Sequence, residues 1–379
     1  MINTLSLFSG AGGLDLGAQH AGATIRGCIE WDEDSVDTLK ANLSDKSCVI
    51  LNRDIGQTSS NELLEECKIK KSDVHLMIAG PPCQSFSKNN YWKRSGEEAL
   101  RRRLRAQKKA SKGSASYKGS TSLRKQVRNT SVESDPRTSM VMEYARLIKE
   151  IKPEGFIFEN VASLLHKKNK KFLEEFITYT ENIGYSTTEF LASSEQFGVP
   201  QIRKRVFVLG LLGKTKPKTP EITHSAEDSL FLSDIVPVKE YINKFRYKKY
   251  FEPEEVFDGR WAKYIPDIPP GMNYKALTAW AGYPNPVFEA ETRFWNFLLK
   301  LSPDKPSWTI PANPGPWIGP FHWSNRRLRT TEMAAIQTFP DGYLFAGGRR
   351  SRVRQIGNAV PVLLAQKVLE PLINSINGS

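Results

Sequence analysis

The residues best placed to do chemistry in this 379-residue chain are one cysteine, two arginines and a few carboxylates, each near the end of an apolar run. Residues 75–87 read His-Leu-Met-Ile-Ala-Gly-Pro-Pro-Cys-Gln-Ser-Phe-Ser, a strand that enters a stiff turn and then delivers Cys83. An apolar run closed by Gly80 is how a buried parallel strand finishes. Both prolines fix φ and donate no N–H, so the loop bearing the thiol is held in place. Ligands of open α/β sheets sit beyond the carboxyl ends of the strands, which is where Cys83 would lie. A lone cysteine there is more often inert than reactive; its neighbours overturn that prior. Phe158-Glu159-Asn160-Val161 ends another core strand on an acid, which is costly unless paired or used. Gln201-Ile202-Arg203-Lys204-Arg205-Val206 brings two arginines, on alternate positions, to the start of a further strand.

A second group of residues suits a nucleoside. Leu5-Ser6-Leu7-Phe8-Ser9-Gly10-Ala11-Gly12-Gly13-Leu14-Asp15 is a glycine-rich turn after a strand, which lets backbone approach a cofactor closely. It lacks the G-x-G-x-x-G spacing of dinucleotide enzymes. Glu30, followed by Trp31, ends the second strand where a carboxylate could accept both ribose hydroxyls. Asp54-Ile55 lies near the end of a third, suited to an adenine amino group. Each acid alone reads as a solvated loop residue; the glycine turn and the two acids in register, three features together, fit an adenosine cofactor without phosphates, S-adenosylmethionine.

Elements that could position these groups are legible. Strands are expected at Thr4–Phe8, Thr24–Glu30, His75–Ala79, Phe156–Glu159 and Val206–Leu211, alternating with amphipathic helices such as Met140–Ile151, which Pro153 ends. That is the pattern of an α/β domain with a mostly parallel sheet. Between Lys93 and Arg128 stand 13 Lys/Arg against Glu97 and Glu98, so one segment holds most of the chain's net charge of +13. It is read as an insertion at about 88–134, solvated and suited to attract a phosphate backbone. From Phe231 to Trp323 the chain places 20 of its 39 aromatics, six of them tryptophan, which argues for a second compact lobe. The expected organisation is 1–212 for the sheet domain, 213–340 for the second lobe and hinge, and 341–379 for a segment returning through the helix Val360–Ile373.

Taken in order, Phe-x-Gly-x-Gly-Gly, Pro-Pro-Cys-Gln, Glu-Asn-Val, Gln-x-Arg-x-Arg and the late Gly357-Asn358-Ala359-Val360 resemble the DNA (cytosine-5)-methyltransferase family of the bacterial restriction-modification type over nearly the whole chain. The resemblance implies a Rossmann-like methyltransferase fold with a smaller target-recognition domain. By that likeness Cys83 is the nucleophile, with Glu159, Arg203 and Arg205 around the target base. Phe8, Gly10, Gly12, Leu14, Glu30, Trp31, Asp54, Ile55, Met140 and Asn358 would hold S-adenosylmethionine, which leaves as S-adenosylhomocysteine. Ser85 and Ser87 belong to the loop that closes over DNA, and Thr309, in Pro306-Ser307-Trp308-Thr309-Ile310-Pro311, would contact a backbone phosphate. The other tryptophans and tyrosines of the lobe are read as its core, with base readout from Arg, Lys or Asn on loops.

Implied partners are double-stranded DNA, without need of a stable protein partner, and a functional pairing with a restriction endonuclease; a monomer is the default. Two other readings stay open: a tRNA cytosine-5 methyltransferase on the same scaffold, and a non-catalytic DNA-binding homologue. The four cysteines show no C-x-x-C spacing and there are five histidines, so no metal site and no disulfide framework is expected. Neither a bilayer-spanning apolar run nor a secretory signal is evident, so a cytoplasmic bacterial protein is expected.

Overall fold

The strands β1 (Ile2–Leu7), β2 (Ala23–Glu30), β3 (Val49–Asn52), β4 (Leu76–Ala79), β5 (Gly155–Val161), β6 (Tyr185–Ser193) and β7 (Lys204–Leu212) make one sheet in the order β3-β2-β1-β4-β5-β7-β6. Strands β1 to β5 are parallel, and β7 runs antiparallel between β5 and β6. The structure is a computed structural model describing residues 1–43, 48–82 and 136–378, with the side chains of 136–139 left aside. Cys83, Ser85, Ser87 and the basic segment at about 88–134 therefore lie outside the described residues.

Continuous apolar strands demand cover on both faces, and the core divides accordingly. Leu76, Ile78 and Ile157 enter one cluster while Met77, Ala79, Phe156 and Phe158 enter the other. The first is roofed by α1 (Gly13–His20), α2 (Glu33–Leu43) and three late helices, α6 (Thr330–Ile336), α7 (Arg349–Asn358) and α8 (Val362–Ile376). The second is roofed by α3 (Ser60–Glu66), α4 (Pro136–Ile151) and α5 (Lys170–Asn182). Helix α1 rests on α8 closely enough that a Cβ on Gly17 would come within 2.3 Å of the Ala365 Cβ.

Among the described residues, one helical stretch, Arg349–Ile376, is long and apolar enough to cross a membrane. It is α7 and α8 meeting at Ala359–Pro361, and 67% of its apolar window is buried in the fold, as in a core helix.

The lobe with a core of its own is narrower than 213–340. Ile265, Ile268, Tyr274, Leu277, Phe288, Leu298 and Phe321 form a separate cluster, whereas Val238, Ile242, Phe245 and Leu328–Phe339 contribute to the sheet domain's core. The reading of its tryptophans as core needs correction: Trp280 is 75% exposed, Trp295 52% and Trp308 39%. Only Trp261 and Trp317 support the lobe's cluster, and Trp323 rests against the main core.

Asp15, in the first turn of α1, is wholly buried and accepts from the Cys28 thiol at 3.2 Å. Burial pushes its carboxyl up to about 6 from 3.8, more than its hydrogen bonds from Ser6 and Cys28 pull it down. A carboxyl raised on folding stabilises fully below its unfolded value, and that contribution is lost as pH rises through the folded one. Stability should therefore fall by roughly 3 kcal/mol between about pH 4 and pH 6 on account of this group. Asp15→Asn is expected to flatten that part of the profile and to gain stability above pH 6. Urea unfolding of both proteins at pH 4.5 and 7.5 measures it, and equal slopes in the two would count against the assignment.

Candidate active site

Gly80-Pro81-Pro82 carries the chain from β4 toward Cys83, and β5 holds this turn. The Asn160 side-chain amide donates to the Pro81 carbonyl at 3.2 Å. A Cβ on Gly80 would lie 3.1 Å from Glu159 Oε2, so the carboxylate stands against the turn itself. Glu159 is buried, and Arg205 Nε donates to its Oε1 at 2.9 Å. Burial nevertheless raises the Glu159 carboxyl above the ordinary range, outweighing the charges of Arg205 and Arg203. A carboxyl so held takes up a proton readily, which suits acid–base work.

Arg203 takes a different place from Arg205. Its charge reaches Glu159, but its guanidinium is buried and donates to the carbonyls of Gly357 (2.7 Å), Ala359 (3.0 Å), Asn358 (3.4 Å) and Ile310 (3.3 Å). It fastens the Gly-Asn-Ala-Val segment and the lobe's Thr309-Ile310 to the start of β7. Gln201 and Gln337 extend this buried hub: Gln201 accepts from Ile310 N and donates to Gln337, whose amide reaches the Ile356 carbonyl.

One cavity of about 290 Å³ joins this corner to the cofactor residues. Phe8, Gly10, Leu14, Glu30 and Asn358 line it together with Pro82, Glu159 and Arg205. Phe8 and Gly10 both take left-handed φ values, 56° each, and a Cβ on Gly10 would meet nothing within 4 Å. The strained turn thus leaves bare backbone facing the space, as a closely bound nucleoside needs. Gly12, also left-handed, does not line the cavity. A Cβ there would come 2.8 Å from the Tyr343 hydroxyl, which donates to the Ala11 carbonyl.

The Glu30 carboxylate accepts backbone N–H groups of Gly10 (2.8 Å), Trp31 (2.9 Å) and Asp32 (2.9 Å). Burial still raises its pKa against those donors. Trp31 and Asp54 line an adjoining depression rather than the cavity. Ile55 is buried in the core beneath, and the Met140 Cε lies 3.3 Å from a Cβ built on Gly56. Backbone open to the cavity, a fixed carboxylate and a neighbouring exposed indole fit the adenosine half of S-adenosylmethionine. No phosphate-binding cation lies in the glycine turn. Among the described residues no group of three or more His, Cys, Asp or Glu is placed to hold a metal.

Thr309 is exposed, and its hydroxyl donates to the Ile202 carbonyl at 2.8 Å. A phosphate, which only accepts, would have to displace that bond. Residues that sequence reasoning missed include Asp32, Ser35, Arg354 and Gln355, all on the cavity wall. Asp32 caps α2 through Ser35 and takes a 2.7 Å ion pair from Arg354. Asp32 followed three residues on by Ser35 at a helix start was a readable cap. Arg354, 322 residues away, left no local signal.

The family described as C-5 cytosine-specific DNA methylase matches residues 2–107 and 126–374. The chain belongs to that family. This methylase is 34% identical to the Type II methyltransferase M.SacI of Streptomyces achromogenes, covering 98% of this chain and 93% of that one. It is 27% identical to the Type II methyltransferase M1.HphI of Haemophilus parahaemolyticus over 97% and 86% of the two chains. In fold it is similar to the Entamoeba histolytica methyltransferase EhMeth (TM-score 0.61, 15% identity, 99% of each chain) and to S. pombe Dnmt2 (0.58, 15%, 99% of each).

Proposed function

We propose that this methylase transfers a methyl group from S-adenosylmethionine to C5 of a cytosine flipped out of a specific short duplex DNA sequence, protecting host DNA from a cognate endonuclease. The observation that carries it is the single cavity. Phe8, Gly10, Glu30 and Asn358 share it with Glu159 and Arg205, and Pro82, on its wall, immediately precedes Cys83. A methyl donor and a base held there would lie beside the residue that precedes Cys83 in sequence. Relatives named Type II methyltransferases support the assignment to DNA modification in a bacterial cell.

Cytosine C5 is a poor nucleophile until the ring's conjugation is broken. The Cys83 thiolate forms a bond to C6, and the displaced electron pair makes C5 an enamine carbon. Glu159 bonds the 4-amino group and N3 and supports protonation at N3 as charge moves into the ring, the part its raised pKa suits. Arg205, fixed against Glu159, stabilises the developing charge at the 2-carbonyl oxygen and favours the thiolate. Arg203 acts as a positioning residue through its four carbonyls. When bound, S-adenosylmethionine supplies the electrophilic methyl group at C5. A base then removes the C5 proton, the C6–S bond breaks, and the thiolate and the aromatic ring are restored. The target atom lies inside the helix stack, so the nucleotide must first leave it.

Base-resolution cytosine methylation in DNA from a methylation-free bacterial host expressing the protein tests the reading. Methylation at one short motif is the expected result. Unmethylated DNA from cells holding folded protein, together with labelled methyl transfer to tRNA by the purified enzyme, would replace it with the RNA reading.

A further inference from the structure

The aromatic lobe buries a core of rings and leaves several others exposed, among them a pair beside the strand that leads to Arg203 and Arg205. Tyr274, Phe288 and Phe297 interlock edge to face within the lobe's cluster, and Trp261 meets Phe297 edge to face. Trp295 and Trp308 instead stand half exposed and packed against each other, ring centroids 5.7 Å apart at 75°. Paired exposed indoles forgo burial that a core would supply, which marks an interaction surface. Their position says of what kind. Ser307–Trp308 is a two-residue strand paired in parallel with Gln201–Ile202, Trp308 opposite Ile202. The next residue is Arg203, and two further on is Arg205, whose guanidinium holds Glu159 in the cavity. Alternation on that strand buries Ser307 and turns Trp308 outward.

Both backbones are fixed. Ser307 N donates to the Pro200 carbonyl at 2.8 Å, and the buried Asn273 amide donates to the Trp295 carbonyl at 2.7 Å. Two residues before Trp295 in the chain, exposed Arg293 lies over the rings of Phe288 and Phe297 at 5.7 and 5.6 Å, a cation available to a polyanion. A rigid aromatic shelf with a cation close by in the chain, next to where a base enters, has the chemistry of a stacking platform for nucleic-acid bases.

We propose that Trp295 and Trp308 form a shelf that stacks on the DNA bases left unstacked when the target cytosine enters the cavity. This rests on the DNA reading above and adds a function for the lobe: it takes up part of the stacking that flipping removes. An indole face accepts any base, so the shelf contributes to flipping rather than to sequence choice.

The test uses the full chain, S-adenosylhomocysteine, and short duplexes carrying the mapped motif or lacking it, with 2-aminopurine at the target position to report unstacking. Trp308→Ala and Trp295→Ala should each weaken binding to the motif duplex by roughly 5- to 150-fold, the worth of about one stacked base. They should also lower the 2-aminopurine signal at saturating protein and leave S-adenosylhomocysteine affinity and binding to the motif-free duplex unchanged. Trp308→Phe and Trp295→Phe should recover most of the loss. Trp280→Ala, an exposed tryptophan not on the strand paired with Gln201–Ile202, should behave as the parent protein does. Retention of both affinity and flipping signal in the alanine variants, with the parent methylating the motif, overturns the shelf alone. A parent protein that does not select the duplex overturns the shelf and the DNA reading together. A loss on motif and motif-free duplexes alike reassigns the pair to general DNA contact and also overturns it.

Discussion

Cys83→Ala is expected to lower methyl transfer by at least ~10⁴-fold, the scale on which removing a nucleophile stops covalent catalysis. None of the other three cysteines, Cys28, Cys48 and Cys67, lines the cavity. Cys28 and Cys67 are buried within the fold; burial pushes the Cys67 thiol up to about 12, and the neighbouring Cys48 thiol together with burial holds Cys28 well above its ordinary value, so neither is a thiolate near neutral pH. In the proposed reaction the change removes the attacking sulfur; Cys83 follows Pro82, a lining residue, in sequence, and Phe8, Gly10 and Glu30 stay as they are. Affinity for S-adenosylhomocysteine, measured by calorimetry, should stay within about twofold of the parent, since binding and covalent steps use different residues. Single-turnover transfer from labelled cofactor gives the rate. A variant still methylating within tenfold of the parent would assign the nucleophile elsewhere.

Glu159→Gln should cost on the order of 10²- to 10⁴-fold in the single-turnover rate, the usual range for a positioned acid–base group. Glutamine keeps the length of the side chain and can still accept from a 4-amino group. It cannot hold the proton that burial prepares Glu159 to carry, and although its amide oxygen can still accept from Arg205, it leaves that guanidinium without its counter-charge. The first loss acts on rate and the second on stability, because a buried cation without a counter-charge is costly. Thermal unfolding of Glu159→Gln and of Glu159→Gln with Arg205→Met separates them. The double variant should recover stability, and its rate should stay well below that of Arg205→Met alone, which lacks the same cation. A rate that recovers along with stability would make Glu159 a structural partner of Arg205 and nothing more.

Much of this site could be read before the fold was known because its residues sit where short-range signals are strong. Strand ends are marked by apolar runs that stop at Gly80, Glu30 and Glu159, and the turns by glycine or proline. Five strands lay within two residues of their expected ends. Strand β6 escaped notice because Tyr185–Ser193 is an edge strand rich in Thr, Ser and Glu, with little of the apolar run that marked the others.

Roles depending on distant partners were harder. Arg203 and Arg205 look alike in Gln-x-Arg-x-Arg, and only the arrival of Gly357, Asn358 and Ala359 shows that one fastens backbone while the other meets Glu159. The exposed tryptophans misled for a related reason. Hydrophobic content sets what a side chain gains by burial, but the backbone strand it sits on decides whether it is offered burial.

The cavity is assembled from both ends of the chain. Phe8, Gly10 and Glu30 are made early, whereas Arg354, Asn358 and Val360, which complete the wall, are made more than 300 residues later. At about 5–20 residues per second, the first half of the pocket waits on the ribosome for roughly twenty seconds to a minute before the second half emerges. During that interval a nascent chain has a nucleophile and a glycine turn but no enclosed place for a methyl donor. A ribosome that stalls, or a message cut short before α8, yields fragments with nothing to transfer. Each molecule therefore gains its pocket only when its last helices are laid against its first.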